Sequence, residues 1–348
     1  MATTSFGVNS PNAVKLWSRK LFREALKNTT MAKYMGESSD SMIQVLNDTK
    51  KGPGDNITYQ LRMQLSGNGV LNDGTLEGNE EALTVYTDNV TIQQLRHAVR
   101  SAGKMSDQRI PFSVREEARM GLQDWWADRI DTAIINQLCG KSTITDTRLT
   151  GGNTPTAPSS GRIIYFGAGS PTSEASVSTT ATMTLAAIDA AVTTAKVATP
   201  LIRPLMVNGN PHYLMFLHPY QVYALRRDAT AVSSWTDIQR AALAGGKQDN
   251  PIFNGALGVY NNVILVENAR IPMSATTNVY RALFCGAQAG VFAVGQDNYP
   301  EKMSWVEELF DYENQLGVSA GMIFGAKKSV FNSTDFGTIV VSTYASAP

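Results

Sequence analysis

Cysteine, histidine, charge and long apolar runs are all scarce in this chain of 348 residues. Cys139 and Cys285 are too few for a disulfide framework, and no Cys-x-x-Cys pair exists, which excludes zinc ribbons and thioredoxin-like chemistry. Purely apolar runs stop at four or five residues, as at Val263–Val266, whereas a membrane helix needs about 20. Residues 1–17 contain no apolar signal-peptide core. A soluble protein made in the cytoplasm, with no membrane contact, is the expectation. A P-loop and a G-x-G-x-x-G fingerprint are also missing.

An excess of either charge sign is lacking too: 30 Lys and Arg balance 30 Asp and Glu, and charged residues make up 17% of the chain. A soluble nucleic-acid binder that works by counterion release is basic, so that class is excluded. A hydrophobic fraction of 43% excludes a disordered chain. Net charge near zero favours association.

The balance is built from opposed patches. Residues 1–36 carry Lys15, Arg19, Lys20, Arg23, Lys27 and Lys33 against Glu24, a surplus of five positive charges. The spacing of Leu16, Lys20, Arg23 and Lys27, with Trp17, Leu21 and Ala25 on another face, predicts a short amphipathic helix at about 12–28. From Met63 to Leu95 there is no Lys or Arg, while Asp73, Glu77, Glu80, Glu81 and Asp88 give five negative charges. A further acidic stretch lies at 301–313.

Hydrophobic periodicity gives a mixed α+β fold. After the turn cluster Lys50-Lys51-Gly52-Pro53-Gly54-Asp55, the apolar residues Ile57, Tyr59, Leu61, Met63 and Leu65 alternate with polar ones, a strand with one apolar face. Leu83, Val85, Val90 and Ile92 signal its partners, so 41–95 reads as a long acidic hairpin that needs something to lie on. The clearest helix runs from 113 to 139, about 40 Å long. It is opened by a Ser113/Glu116 capping box and closed by Gly140. Residues 141–183, rich in Thr, Ser, Gly and Pro, read as a surface insertion with one strand at Arg162–Phe166. Helices are predicted at 184–197, from Pro219 and around Trp235–Leu243. Strands are predicted at His212–Leu217, Val259–Glu267, Val279–Cys285, Val291–Val294, Glu301–Leu309, Val318–Lys327 and Thr338–Tyr344.

Chemistry is weakly signalled. Gly317-Val318-Ser319-Ala320-Gly321 is a literal G-x-S-x-G, but His97, His212 and His218 all precede it. That rules out the chain order of an α/β-hydrolase, and a strand rather than a helix follows the serine. A serine hydrolase using Ser319 is thus only the rival from a different class. His212 and His218 flank a strand with no Cys or acidic residue at metal spacing, and Asp73-Gly74-Thr75-Leu76-Glu77 lacks the alternating ligands of a calcium loop. No metal, cofactor or catalytic residue is expected. Trp125 and Trp126 are neighbours on one helix and cannot both face the core, so one is a candidate for a subunit contact.

Several strings together resemble a known family. They are His218-Pro219-Tyr220-Gln221-Val222, Asn250-Pro251-Ile252-Phe253-Asn254-Gly255-Ala256-Leu257-Gly258-Val259-Tyr260 and Gly286-Ala287-Gln288-Ala289-Gly290. Near the end stand Phe310-Asp311-Tyr312, Gly325-Ala326-Lys327-Lys328 and Asp335-Phe336-Gly337, and upstream Leu61-Arg62-Met63-Gln64-Leu65-Ser66-Gly67 and Gly74-Thr75-Leu76-Glu77-Gly78-Asn79-Glu80-Glu81. From about residue 13 to 345, apart from 141–183, the chain resembles the tailed-phage major capsid proteins typified by the coliphage N-four coat protein. The resemblance implies an HK97-type capsid fold. Residues 1–40 would form the N-terminal arm and 41–95 the extended β-hairpin loop. Residues 96–183 would be the peripheral domain with its spine helix, 184–299 the axial domain, and 300–348 the return strands of the peripheral domain.

The implied function is a coat protein self-assembling into the icosahedral head shell of a double-stranded DNA phage, located in the virion and synthesised in the host cytoplasm. An encapsulin-like compartment shell is the alternative within the same fold. The implied partners are copies of the chain in hexamers and pentamers, then separate scaffolding, portal and decoration proteins, with weak non-specific contact to packaged DNA. The candidate interface residues are Lys15, Arg19, Lys20, Arg23 and Lys27 on the arm, Lys50 and Lys51 at the turn, Asp73, Glu77, Glu80 and Glu81 on the hairpin, and Trp125 and Trp126 on the helix. The basic arm and acidic hairpin are expected to complement one another between subunits.

Overall fold

The structure is a computed structural model that describes residues 30–47, 54–108, 113–207, 209–227, 258–295 and 303–348. The helix expected at 12–28, the cations Lys15, Arg19, Lys20, Arg23 and Lys27, the turn lysines Lys50 and Lys51 and the helix expected around Trp235–Leu243 lie outside these residues.

The first sheet is organised by the 14-residue strand Gln315–Lys328. Along one edge its first half pairs antiparallel with Ser304–Phe310, with Ser304 opposite Gly321, and its second half with Gly290–Val294, with Gly290 opposite Lys328. Along the other edge runs Gln93–Arg100, with Arg100 opposite Gly317 and Gln93 opposite Phe324. Ile43–Leu46 and Met35–Gly36 extend the sheet in parallel beyond Gly290–Val294. The small residues of the G-x-S-x-G string have a packing cause: a Cβ at Gly321 would stand 2.7 Å from Ser304 Oγ and 2.9 Å from Arg96 Cγ.

The second sheet runs in the order Ile163–Tyr165, Thr338–Tyr344, Val279–Cys285, Asn210–Leu217, Val263–Glu267, Gly258–Tyr260, with Leu205–Val207 also on Asn210–Leu217. Helices Leu185–Val197 and Pro219–Arg227 cover one face through Ile188, Val192, Val222 and Leu225 against Met215, Leu265, Phe284 and Ile339. The opposite face, with Leu214, Phe216, Leu283 and Cys285, shares a core with the long helix and with Met322 and Phe324 of the first sheet. The two sheets do not follow the expected division at residue 300. Thr338–Tyr344 pairs with Val279–Cys285, whereas Gly290–Val294 belongs to the first sheet.

Helix Val114–Leu138 matches its sequence signal, with Ala118, Leu122, Trp126, Ile130, Ala133, Ile134 and Leu138 buried. Its C-terminus is closed as expected: Gly140 adopts φ 60° and the Lys141 N–H reaches the Asn136 carbonyl at 3.1 Å. The Ser113/Glu116 capping box does not form, since the Ser113 side chain makes no capping hydrogen bond. Ser113 is exposed, and Glu116 and Glu117 favour that end of the helix dipole.

Two further expectations are corrected. The single strand predicted at Val259–Glu267 is a hairpin of Gly258–Tyr260 and Val263–Glu267, because Asn261 and Asn262 take φ 45° and 61° and form its two-residue turn. The 141–183 segment is woven into the body. Thr150, Arg162, Ala181 and Met183 are buried, and Ile163–Tyr165 pairs in parallel with Thr338–Tyr344. Its Gly- and Thr-rich composition permits close backbone approach, which composition alone presents as a loop.

Candidate functional site

The hairpin predicted from alternation is present. Asn56–Arg62 pairs antiparallel with Val85–Thr91, with Asn56 opposite Thr91 and Arg62 opposite Val85. Its apolar face is used only at the base, where Ile57 and Val90 pack on Val291 and Ala293. Beyond Arg62 and before Val85 the chain forms a tip with no strand pairing. Leu65, Leu71, Leu76 and Leu83 there are 58–83% exposed.

Two ties hold the base. Asp88 accepts hydrogen bonds from Lys327 Nζ at 2.5 Å, Tyr59 Oη at 2.6 Å and the Val330 N–H at 3.2 Å. Burial, together with the Asp88 charge, raises the Tyr59 phenol pKa, so Tyr59 stays a donor. The second tie is the Asn153 carboxamide, which accepts from the Thr91 N–H at 3.0 Å and donates to the Thr91 carbonyl at 2.9 Å. Neither Lys327 nor Asn153 stands out in the sequence as a functional residue. The signal for Asn153 is the preceding Gly151-Gly152, a place where backbones converge.

The acidic residues of the tip divide into two kinds. The Glu81 carboxylate accepts the Ser66 N–H at 2.8 Å and the Gly67 N–H at 2.7 Å, which closes one limb on the other and lowers its pKa. Glu80 accepts the Gly78 N–H at 2.7 Å within a turn. Asp73 and Glu77 are exposed, with no partner among the described residues.

The described chain is anchored at its first residues, Thr30 and Met31. Asp131, fully buried on the long helix, accepts the Thr30 N–H at 2.8 Å, the Thr30 hydroxyl at 2.6 Å and the Met31 N–H at 3.2 Å. Arg270 supplies the countercharge, reaching Asp131 at 3.2 Å and Asp128 at 3.0 Å.

Against the expectation that only one would, both tryptophans pack on the same core, their rings meeting edge-on at 5.2 Å. Trp126 is wholly buried and meets Phe324 edge-on at 6.1 Å. Trp125 is half-buried beneath its own chain, stacked on His97 at 4.4 Å with the Arg129 guanidinium 5.3 Å from the ring.

Among the described residues no histidine bonds Ser319. His97 lies opposite Ala320, so its ring is on the helix side, whereas Ser319 faces the other way and donates to the Val306 carbonyl at 3.3 Å. Among the described residues no group of three or more His, Cys, Asp or Glu could hold a metal ion, and no helix is long and apolar enough to cross a membrane. Cys139 and Cys285 are free and buried, and burial pushes the Cys139 thiol up to about 12, where it is an inert core residue.

Residues 5–347 match the family described as phage capsid protein. The major capsid protein of Pseudomonas phage KPP25 is 29% identical over 383 residues, spanning 99% of this chain and 98% of that protein. The capsid of Ralstonia phage GP4 is 32% identical, with 100% of this chain and 99% of that one covered at a TM-score of 0.79. The capsid asymmetric unit of Cyanophage Pam1, 21% identical, shares the fold at a TM-score of 0.75 over 93% of this chain and 94% of its own.

Proposed function

The chain belongs to the phage capsid protein family, and we propose that, as the major capsid protein of a phage, it closes its shell by laying the hairpin tip on a second copy of itself. The fold is of HK97 capsid type, and the protein is a structural component of the virion.

One observation carries the docking reading. Four leucines are exposed on a tip that has neither a core nor a sheet of its own. Burying a leucine stabilises by about 1.5–3 kcal/mol, so a neighbour that covers the tip gains substantially. Asp73 and Glu77 supply the charge that orients the contact, and the basic arm around Lys15–Lys27 is their matching surface. Each exposed pair contributes roughly 0–1 kcal/mol and is screened by salt, so charge sets register while leucine burial sets affinity.

The motifs quoted above support assignment to coats of the coliphage N-four kind. The shell encloses double-stranded DNA, which a neutral chain touches weakly and without sequence preference. Scaffolding, portal and decoration functions belong to separate proteins.

Substituting Leu71→Asp together with Leu76→Asp tests this reading. The expected product is a folded subunit with unchanged circular dichroism that forms no shells under the electron microscope. Shells of normal number and shape from the double variant would overturn it.

A further inference from the structure

Thr91 is where the chain leaves the hairpin sheet, and Gln93 is where it enters the first sheet. Between them the Ile92 N–H bonds to the Asp55 carbonyl of the outgoing limb at 2.8 Å. The chain thus passes from the hairpin to the first sheet within three residues. At that point the Asn153 carboxamide reproduces the two-point pairing of a neighbouring strand, with Oδ1 on the Thr91 N–H and Nδ2 on the Thr91 carbonyl. Nδ2 also faces the Ala326 carbonyl at 3.2 Å and the Gly151 carbonyl at 3.1 Å. Turning the amide over would set its oxygen against three carbonyls, so its orientation is fixed by its partners. The Asn153 main chain is held in turn: Gln137 of the long helix donates to the Asn153 carbonyl at 2.6 Å and the Thr150 carbonyl at 2.7 Å.

Two glycines make this convergence possible. Gly151, at φ 64°, brings its α-carbon so close to Ala326 that a Cβ would lie 2.7 Å from the alanine methyl. A Cβ at Gly325 would lie 2.3 Å from the Thr91 carbonyl oxygen.

We propose that Asn153 is a positioning residue that fixes the angle at which the hairpin leaves the body, and through that angle the curvature of the shell. The inference rests on the hairpin docking on a second copy. A residue whose side chain joins first sheet and hairpin, and whose main chain is held by the long helix, transmits the orientation of the body to a lever more than twenty residues long.

The test compares Asn153→Ala and Asn153→Asp with the parent chain. Asp keeps the acceptor for the Thr91 N–H but sets a negative oxygen against three carbonyls, and Ala removes both bonds without repulsion. Both subunits should unfold cooperatively with midpoints close to the parent, while exchange of the Thr91 amide rises about tenfold or more. Particles should become open or heterogeneous in diameter, more so for Asp. If Asn153→Asp fails to fold, Asn153→Ala decides the matter. Uniform particles of parental diameter from Asn153→Ala, with Thr91 exchange raised, would overturn the inference. The leucine double variant separates the two ideas. If it assembles normally the docking reading fails, and if it does not while Asn153→Ala shells stay uniform, only the angle-setting role fails.

Discussion

Asp131 holds Thr30 by two hydrogen bonds to one carboxylate oxygen, 2.8 Å from the N–H and 2.6 Å from the hydroxyl. The long helix thus grips the chain at the first of the described residues. Asp131 and Met31 are buried while Thr30 is exposed, so loss of the carboxylate leaves the Met31 N–H unpaired rather than rehydrated.

Asp131→Ala should therefore destabilise the subunit by about 3 kcal/mol, with Arg270 and the Thr30 and Met31 N–H groups losing their acceptor. Thr30→Val, which removes the hydroxyl's bond to Asp131 and the one it accepts from Asn268 Nδ2, should cost about 1–2 kcal/mol. Urea unfolding of unassembled subunits measures both, and equal losses would show that the carboxylate is not the centre of the anchor.

Lys328 and Asp335 form an ion pair at 2.9 Å with both side chains essentially inaccessible, and Lys328 also donates to the Thr156 carbonyl at 3.0 Å. Burial lowers the Lys328 pKa, and Asp335 opposes that shift. Lys328→Met alone should cost about 3–5 kcal/mol, because it leaves a buried carboxylate unpaired. Adding Asp335→Leu should recover part of that loss, a coupling of about 2 kcal/mol in a double-mutant cycle. Strict additivity would contradict the pairing.

His218 caps helix Pro219–Arg227. Its Nδ1 accepts the Tyr220 N–H at 3.2 Å, its own N–H is bonded by Gln221 Oε1 at 3.0 Å, and its ring stacks on Tyr280 at 4.1 Å with Tyr220 edge-on. Burial lowers its pKa below the ordinary value near 6.5. The folded state then binds fewer protons than the unfolded state. The contribution is present above about pH 6.5 and is lost as pH falls through the folded pKa. His218→Asn keeps an acceptor at the cap but does not titrate, so its stability should fall less than the parent's between pH 7 and 5. Parallel pH profiles in thermal unfolding would sink the idea.

The acidic tip residues should respond differently to substitution. Glu81→Ala removes the bond that joins the limbs, and limited proteolysis within 63–84 should speed up in the free subunit. Asp73→Lys with Glu77→Lys should leave proteolysis unchanged but slow assembly, with the defect shrinking as salt rises. A salt-independent defect would exclude a role for charge.

The alternation of Ile57, Tyr59 and Leu61 made the hairpin legible, because a period of two fixes a strand and one apolar face. The repeat from Ala118 to Leu138 and Gly140 gave the long helix and its end for the same local reason. Ser113 shows the limit: the residue type suits a cap, but the bond depends on a side-chain direction that no spacing encodes.

The sequence by itself determined most of the element types and the opposed charges, since these follow from composition and from periods only a few residues long. Tertiary structure alone decided that Glu81 is spent inside the tip while Asp73 is not. It also decided that Thr338–Tyr344 joins the sheet of Val279–Cys285, and that Asn153 meets Thr91 across 62 positions of sequence. Each of these depends on a partner brought near by packing, and a hydrogen bond reaches only about 3 Å however far apart its two ends lie along the chain.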